Sequence, residues 1–224
     1  MSTRPRVVLF DIDGTLITTG GAGAVAWRLA FEELYRISAD IGAYSDGGMT
    51  DPEVGRATFT HTVGRAPTPA ELDAVMATRL RYLPGAVAES KGYRVLRGVA
   101  ELLPRLRARG YLLGLTTGGT EPAARIKLGR AGLNQYFDFG GFGSDSPDRT
   151  QLTMRAIERA AALDGNGLRA RECLVVGDTP LDIAAAHDAG ALAVAVASGH
   201  YGVDTLRAAG ADHVLASLEE DLPL

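Results

Sequence analysis

The run Val7-Val8-Leu9-Phe10 leads directly into Asp11-Ile12-Asp13-Gly14-Thr15-Leu16. Four apolar, mostly β-favouring residues followed by two carboxylates, a glycine and a threonine predict a buried parallel strand with chemistry at its C-terminal end. In open α/β sheets that end is where ligands bind. The Asp-x-Asp spacing sends two carboxylates off one turn, close enough to share a reacting group or a hard metal ion.

Working outward, four further segments have the same short, apolar character: residues 111–116, 173–176, 192–197 and 213–215. Helical patterns separate them, over residues 99–109, 121–131, 152–163 and 180–189. The first of these carries Leu102, Leu103 and Leu106 on one face and stops at Gly110. Alternation of this kind predicts an α/β fold, a Rossmann-like parallel sheet covered on both faces.

Residues 18–95 break the rhythm. Helical patterns over 22–37, 51–63 and 68–87 fill the interval, with no convincing buried strand. The last opens Thr68-Pro69-Ala70-Glu71, an N-cap with Pro next and Glu third. So long a block exceeds a βα loop. It predicts an inserted all-helical cap domain at 18–95 over a core of residues 1–17 and 96–224, with hinges near 18–20 and 91–98.

Composition narrows the function. The 224 residues suffice for a buried core plus a subdomain, and the formal net charge of −4 argues against a nucleic-acid partner. A single cysteine, Cys173, excludes an internal disulfide; beside Leu174-Val175-Val176 it is expected to be a packed, inert thiol. Residues 1–6 show no apolar leader core, and no run approaches the ~20 apolar residues of a membrane span. A soluble cytoplasmic protein without a membrane partner is expected, and no motif bears on its oligomeric state. Only Lys91 and Lys127 are lysines among 23 Lys and Arg residues.

Polar residues recur where strands are expected to end. Besides Asp11 and Asp13 there are Thr116-Thr117-Gly118-Gly119, residues 145–149, and Gly177-Asp178-Thr179-Pro180-Leu181-Asp182. In a parallel sheet these ends face one side. Carboxylates from two strands can then surround Mg²⁺, which prefers oxygen ligands and keeps waters. Hydroxyl and backbone N–H groups at Thr116 and Thr117 can hold phosphate oxygens, and Arg149 can neutralise charge.

The stretches DIDGTL, LLGLTTGG and VVGDTPLDIAAAHDAG, in this order, resemble the first, second and fourth motifs of the haloacid dehalogenase superfamily, across most of the chain outside the helical block. That block is similar to the superfamily's helical cap class. The resemblance implies a Mg²⁺-dependent phosphatase acting on a small phosphorylated metabolite. It implies Asp11 as the nucleophile that forms an aspartyl-phosphate, and Asp13 as general acid and then base. Mg²⁺ would be held by Asp11, the backbone carbonyl of Asp13 and Asp178, with Asp182 supporting it directly or through water. Thr116 would bind the transferred phosphoryl group.

The third motif departs from the pattern. A Lys is usual there; this chain has Ser144-Asp145-Ser146-Pro147-Asp148-Arg149-Thr150. Arg149 is the expected replacement cation, since a guanidinium binds phosphate bidentately. Lys127, in the helix after the second motif, is expected on a solvated face. Gly47-Gly48-Met49-Thr50-Asp51-Pro52 is either a helix start or a substrate-facing loop with Thr50 and Asp51 toward the ligand; similar GxTD stretches occur in phosphoglycolate-phosphatase-like relatives. His61, His187, His200 and His213 lack metal-ligand spacing, and His200 is expected to be a loop histidine.

Other activities of the same fold have other signatures. A dehalogenase typically lacks the acid at the Asp13 position, and a stable phospho-enzyme favours Thr there. A sugar phosphomutase often carries a His early in the first cap helix, absent from residues 19–27. A phosphonate hydrolase needs a cap lysine, and Lys91 sits only at the cap's exit. A non-catalytic binding protein would be expected to lack the nucleophile or a metal carboxylate, and all four are present.

Overall fold

The computed structural model describes residues 5–44 and 47–224. The polar N-terminal stretch at 1–6 lies mostly outside them. The strands are β1 (Val7–Phe10), β2 (Ile17–Thr18), β3 (Arg94–Val95), β4 (Leu112–Thr117), β5 (Phe139–Phe142), β6 (Cys173–Gly177), β7 (Leu192–Val196) and β8 (His213–Leu215). The helices are α1 (Ala22–Tyr35), α2 (Asp51–Val63), α3 (Pro69–Glu89), α4 (Val99–Ala108), α5 (Glu121–Gly129), α6 (Arg149–Asp164), α7 (Pro180–Asp188) and α8 (Val203–Ala208).

Six strands form one sheet in the order β5-β4-β1-β6-β7-β8, and every pairing in it is parallel. β1 is central, with Phe10 in register with Leu115 on one side and Val176 on the other. All four of its residues are fully buried, because their side chains alternate between two cores. Val8 and Phe10 join the leucines of α4 and Leu128 of α5. Val7 and Leu9 join Ala156 and Ala160 of α6 and Ile183 of α7. The sheet is therefore covered on both faces, with the C-terminal ends of β1, β4 and β6 on one side.

β5 is a strand that the sequence reading did not delimit. Its sequence, Phe-Gly-Gly-Phe, resembles a loop. Gly141 is required because α6 lies directly on the strand, a Cβ there standing 1.7 Å from the Leu152 carbonyl oxygen, while a Cβ on Gly140 would crowd Phe142 at 2.8 Å and Leu115 of β4 at 2.9 Å.

Between β2 and β3 the chain is helical. α1, α2 and α3 pack around Trp27, Phe31, Phe59 and Val75. α3 starts as its sequence predicts: Thr68 Oγ1 accepts from Glu71 N at 3.3 Å, and Glu71 returns a carboxylate to Thr68 N at 2.8 Å. The helical segment rests on the core through Ala22, Ala26, Leu83 and Val87 against Ala123 of α5. Its two connections run side by side, β2 pairing antiparallel with β3. Where they touch, Gly20 adopts φ +59°, and a Cβ there would lie 2.4 Å from the backbone of Gly92. Among the described residues no helix is long and apolar enough to cross a membrane.

Candidate active site

A cavity of about 190 Å³ opens between the sheet's C-terminal edge and the helical segment. Asp11, Asp13 and Asp178 line its floor. Asp11 follows β1, and its N–H donates to the Val176 carbonyl at 2.9 Å, so the β1–β6 pairing itself places the carboxylate. Asp178 follows β6 and accepts from Thr15 Oγ1 at 3.2 Å. Its Oδ2 is wedged against two loops: a Cβ on Gly199 would lie 1.7 Å from it, and one on Gly14 2.3 Å. Side chains at either position would displace the carboxylate.

So many carboxylates in one buried place repel one another. Burial, then the nearby Asp182, raises the Asp11 pKa well above its ordinary value, against the opposing pull of Arg149. Burial and Asp182 likewise push Asp178 up to about 7.

Arg149, the first residue of α6, is the main internal counter-charge. It donates to Asp11 Oδ1 at 3.1 Å and to Gly48 O at 2.8 Å. Two more of its bonds go to Asp182 Oδ1, one at 3.0 Å from Nε and a short one from Nη2. Burial alone would depress its pKa, but Asp182 and Asp11 outweigh that and raise it. The third-motif cation expected from the sequence is thus brought to Asp11.

Lys127 is a correction. It is not on a solvated face: only 7% exposed, it shares the buried side of α5 with Ala123, Ala124 and Leu128. Its Nζ donates to Asp13 Oδ2 at 2.5 Å, and both residues line the cavity. The signal was present in the sequence, as a lysine falling on an apolar helical stripe.

Thr116 is a second correction. Its hydroxyl pairs with Thr153 Oγ1 of α6 at 3.0 Å and does not line the cavity; the neighbouring Thr117 does. Successive side chains of β4 point to opposite faces, so with Thr116 turned to α6 it is Thr117 that faces the cavity. Both carboxylate oxygens of Asp182 are engaged. Oδ1 is taken by Arg149 and Oδ2 by the N–H and hydroxyl of Thr179, so it holds Arg149 and the start of α7 and lies off the cavity wall.

In the helical segment Thr50 is fully buried, and its N–H and hydroxyl both donate to Glu53 Oε2 at 2.9 Å. It serves the start of α2 and does not reach the ligand space. Asp51 does line the cavity, but its Oδ2 accepts from Arg79 Nη1 at 2.6 Å and from Thr120 N at 2.9 Å. Its own N–H donates to Gly118 O at 2.7 Å. Asp51 therefore ties the helical segment to the loop that follows β4. His200, expected to be a plain loop residue, lines the mouth with Tyr201. The Tyr201 ring stands 4.0 Å from a Cβ built on Gly47. Cys173 is buried as expected, its thiol pushed up to about 12.

The Asp11 and Asp178 carboxylates suit a hard divalent cation. The donors are all oxygen, and their pKa values are raised first by burial and then by the neighbouring Asp182, both of which a bound cation would offset. Among the described residues no three His, Cys, Asp or Glu side chains are arranged to enclose an ion. An ion at Asp11 and Asp178 would keep waters in its shell, as Mg²⁺ does.

An acidic pair at the end of a central parallel strand, flanked by two cations and roofed by helices, is suited to transferring a phosphoryl group to water, which is hydrolase chemistry. The haloacid dehalogenase-like hydrolase family model matches residues 5–190, and the chain belongs to that family. It is 32% identical over 203 residues to a phosphoglycolate phosphatase of Rhodospirillum rubrum, covering 88% of this chain and 81% of the relative. It is 29% identical over 235 residues to the phosphoglycolate phosphatase of Escherichia coli O157:H7, covering 97% and 91%. Its fold superposes on the crystal structure of a predicted phosphoglycolate phosphatase from Haemophilus somnus 129pt with a TM-score of 0.75 and 20% identity, covering 98% of this chain and 96% of that one. The protein is a phosphatase acting on phosphoric monoesters.

Proposed function

We propose that this phosphatase hydrolyses a small phosphorylated metabolite, with 2-phosphoglycolate the expected substrate, through an aspartyl-phosphate on Asp11 and with Mg²⁺ as cofactor. The observation that carries the reading is the division of labour at the cavity floor: Arg149 on Asp11, Lys127 on Asp13. Two neighbouring carboxylates with different partners are suited to different roles.

In the first half-reaction a carboxylate oxygen of Asp11 attacks phosphorus. The bond from phosphorus to the leaving oxygen breaks, and Asp13 gives that oxygen its proton. In the second, water attacks phosphorus, Asp13 takes the water's proton, and the acyl-phosphate bond breaks to release phosphate and regenerate Asp11. Thr117 and the backbone N–H of Gly118, both at the cavity wall, would hold the equatorial oxygens, and the Gly119 N–H, donating to Thr117 Oγ1 at 3.3 Å, would orient that hydroxyl. Arg149 orients Asp11 and offsets charge on the same oxygens. Asp11, Asp178 and the Asp13 carbonyl would hold Mg²⁺, which would supply charge neutralisation for the phosphoryl group.

Residues 18–95 act in this reading as a cap over the core of 1–17 and 96–224, the touching connections at Gly20 and Gly92 serving as its hinge. A cavity of about 190 Å³ favours a small substrate, being below the roughly 300–1,000 Å³ of sites for drug-sized ligands. The names of the relatives and the cavity's size support phosphoglycolate. A cytoplasmic location suits such a substrate. The test is phosphate release from 2-phosphoglycolate with Mg²⁺ and with EDTA: turnover is expected only with the metal, and equal rates in both would defeat the cofactor assignment.

A further inference from the structure

Lys127 is costly where it stands. An ammonium nearly out of solvent, on a helix that packs beneath α3, is tolerated only with anionic partners. Its position is fixed from behind: Tyr93 Oη donates to the Lys127 carbonyl at 2.7 Å, and the Arg130 guanidinium sits 4.6 Å over the Tyr93 ring. An ammonium has three N–H donors. Asp13 takes one.

The other cations near the cavity are committed. Arg149 is divided among Asp11, Asp182 and Gly48. Arg79 is held by Asp51 and stacked 5.0 Å over Trp27. Lys127 alone of these stands beside the acid that meets the leaving oxygen. Resting on the phosphatase reading above, we propose that Lys127 is the specificity-determining cation of the leaving-group side and binds the carboxylate of a short 2-phosphooxy acid.

The spacing selects that class. The group that protonates the leaving oxygen must touch it, and Lys127 Nζ lies 2.5 Å from that group. In a 2-phosphooxy acid the carboxyl carbon is two bonds, about 2.4 Å, from the leaving oxygen. Substrate carboxylate and ammonium therefore fall within hydrogen-bond reach while the leaving oxygen stays on Asp13. A carboxylate several carbons further along would overshoot, and a neutral group would leave the ammonium's remaining donors unanswered.

The experiment compares kcat/KM for 2-phosphoglycolate and 2-hydroxyethyl phosphate, which differ by a carboxylate against a neutral hydroxymethyl group. Wild-type enzyme should prefer 2-phosphoglycolate at least tenfold. Lys127→Met should erase most of that preference, chiefly through KM for 2-phosphoglycolate, while Lys127→Arg should retain part of it. An equal fall for both substrates would mean that Lys127 serves Asp13 alone and would overturn the proposal. So would a wild-type enzyme with no preference, a result that needs no variant to fold. Hydrolysis of neither ester would be a different failure, that of the proposed phosphoglycolate reading itself, and the proposal would fall with it.

Discussion

The Arg149 guanidinium reaches Asp11 Oδ1 at 3.1 Å while another of its nitrogens holds the Gly48 carbonyl at 2.8 Å. One side chain thus joins the core's central strand to the loop that leads into α2. Removing it takes away a donor aimed at developing charge, which typically costs about 10²–10³-fold in rate. Arg149→Ala should therefore lower kcat by at least about 100-fold, and Arg149→Lys should recover only part, since an ammonium does not reproduce the fork. A near-normal kcat in Arg149→Ala, with the variant folded by circular dichroism, would remove Arg149 from the site.

The raised carboxyl pKa values bear on stability without metal. In the unfolded chain Asp178 ionises near its ordinary value of 3.8; in the fold it is held up to about 7. The folded state therefore keeps a proton that the unfolded state has lost, and stability falls as pH rises through that interval. Asp11, raised as well, acts in the same direction. Glu71 and Glu172, held down to about 2, are ionised in both states above about pH 5.5 and add no slope there. In EDTA the melting temperature should fall from pH 5.5 to pH 8. Saturating Mg²⁺ should restore more at pH 8, because its ligands must be deprotonated to bind. The same Mg²⁺ increment at both pH values would contradict the assignment of Asp178 as a ligand.

Gly199 offers a probe that removes no ionisable group. A Cβ there would collide with Asp178 Oδ2 at 1.7 Å, so the carboxylate or the loop must move. Disturbing the surroundings of a metal ligand typically weakens binding about 10–100-fold. Gly199→Ala should raise the Mg²⁺ concentration for half-maximal activity by at least about tenfold. Gly23→Ala, with no heavy atom within 4 Å of the new methyl, should leave it unchanged. Equal metal dependence in the two variants would show that the wedge around Asp178 has no bearing on metal binding.

Much of this was legible in the sequence because burial on both faces leaves an unmistakable pattern. Val7–Phe10 had to be a central strand, and the carboxylates after it had to reach the sheet's edge. The helices of 18–95 announced themselves by caps such as Thr68 and Glu71. What escaped depended on contacts between elements. β5 is written in glycine because α6 leaves no room for a side chain at Gly141, and Phe142 and Leu115 leave none at Gly140. The choice between Thr116 and Thr117 turned on which face of β4 is covered by α6, where Thr153 takes the Thr116 hydroxyl. The apolar stripe of Ala123, Ala124 and Leu128 marked Lys127 as inward-facing, but nothing local reveals that Asp13 waits across the gap. Asp51 suited a ligand contact until its partners, Arg79 and Thr120, were in view.

The central claim is that Asp11 carries the phosphoryl group. It is tested most directly by measuring phosphate release from 2-phosphoglycolate by wild-type enzyme and Asp11→Asn, both with saturating Mg²⁺. The account predicts turnover by the wild type and none above background by a folded Asp11→Asn variant. Substantial turnover by Asp11→Asn would contradict it.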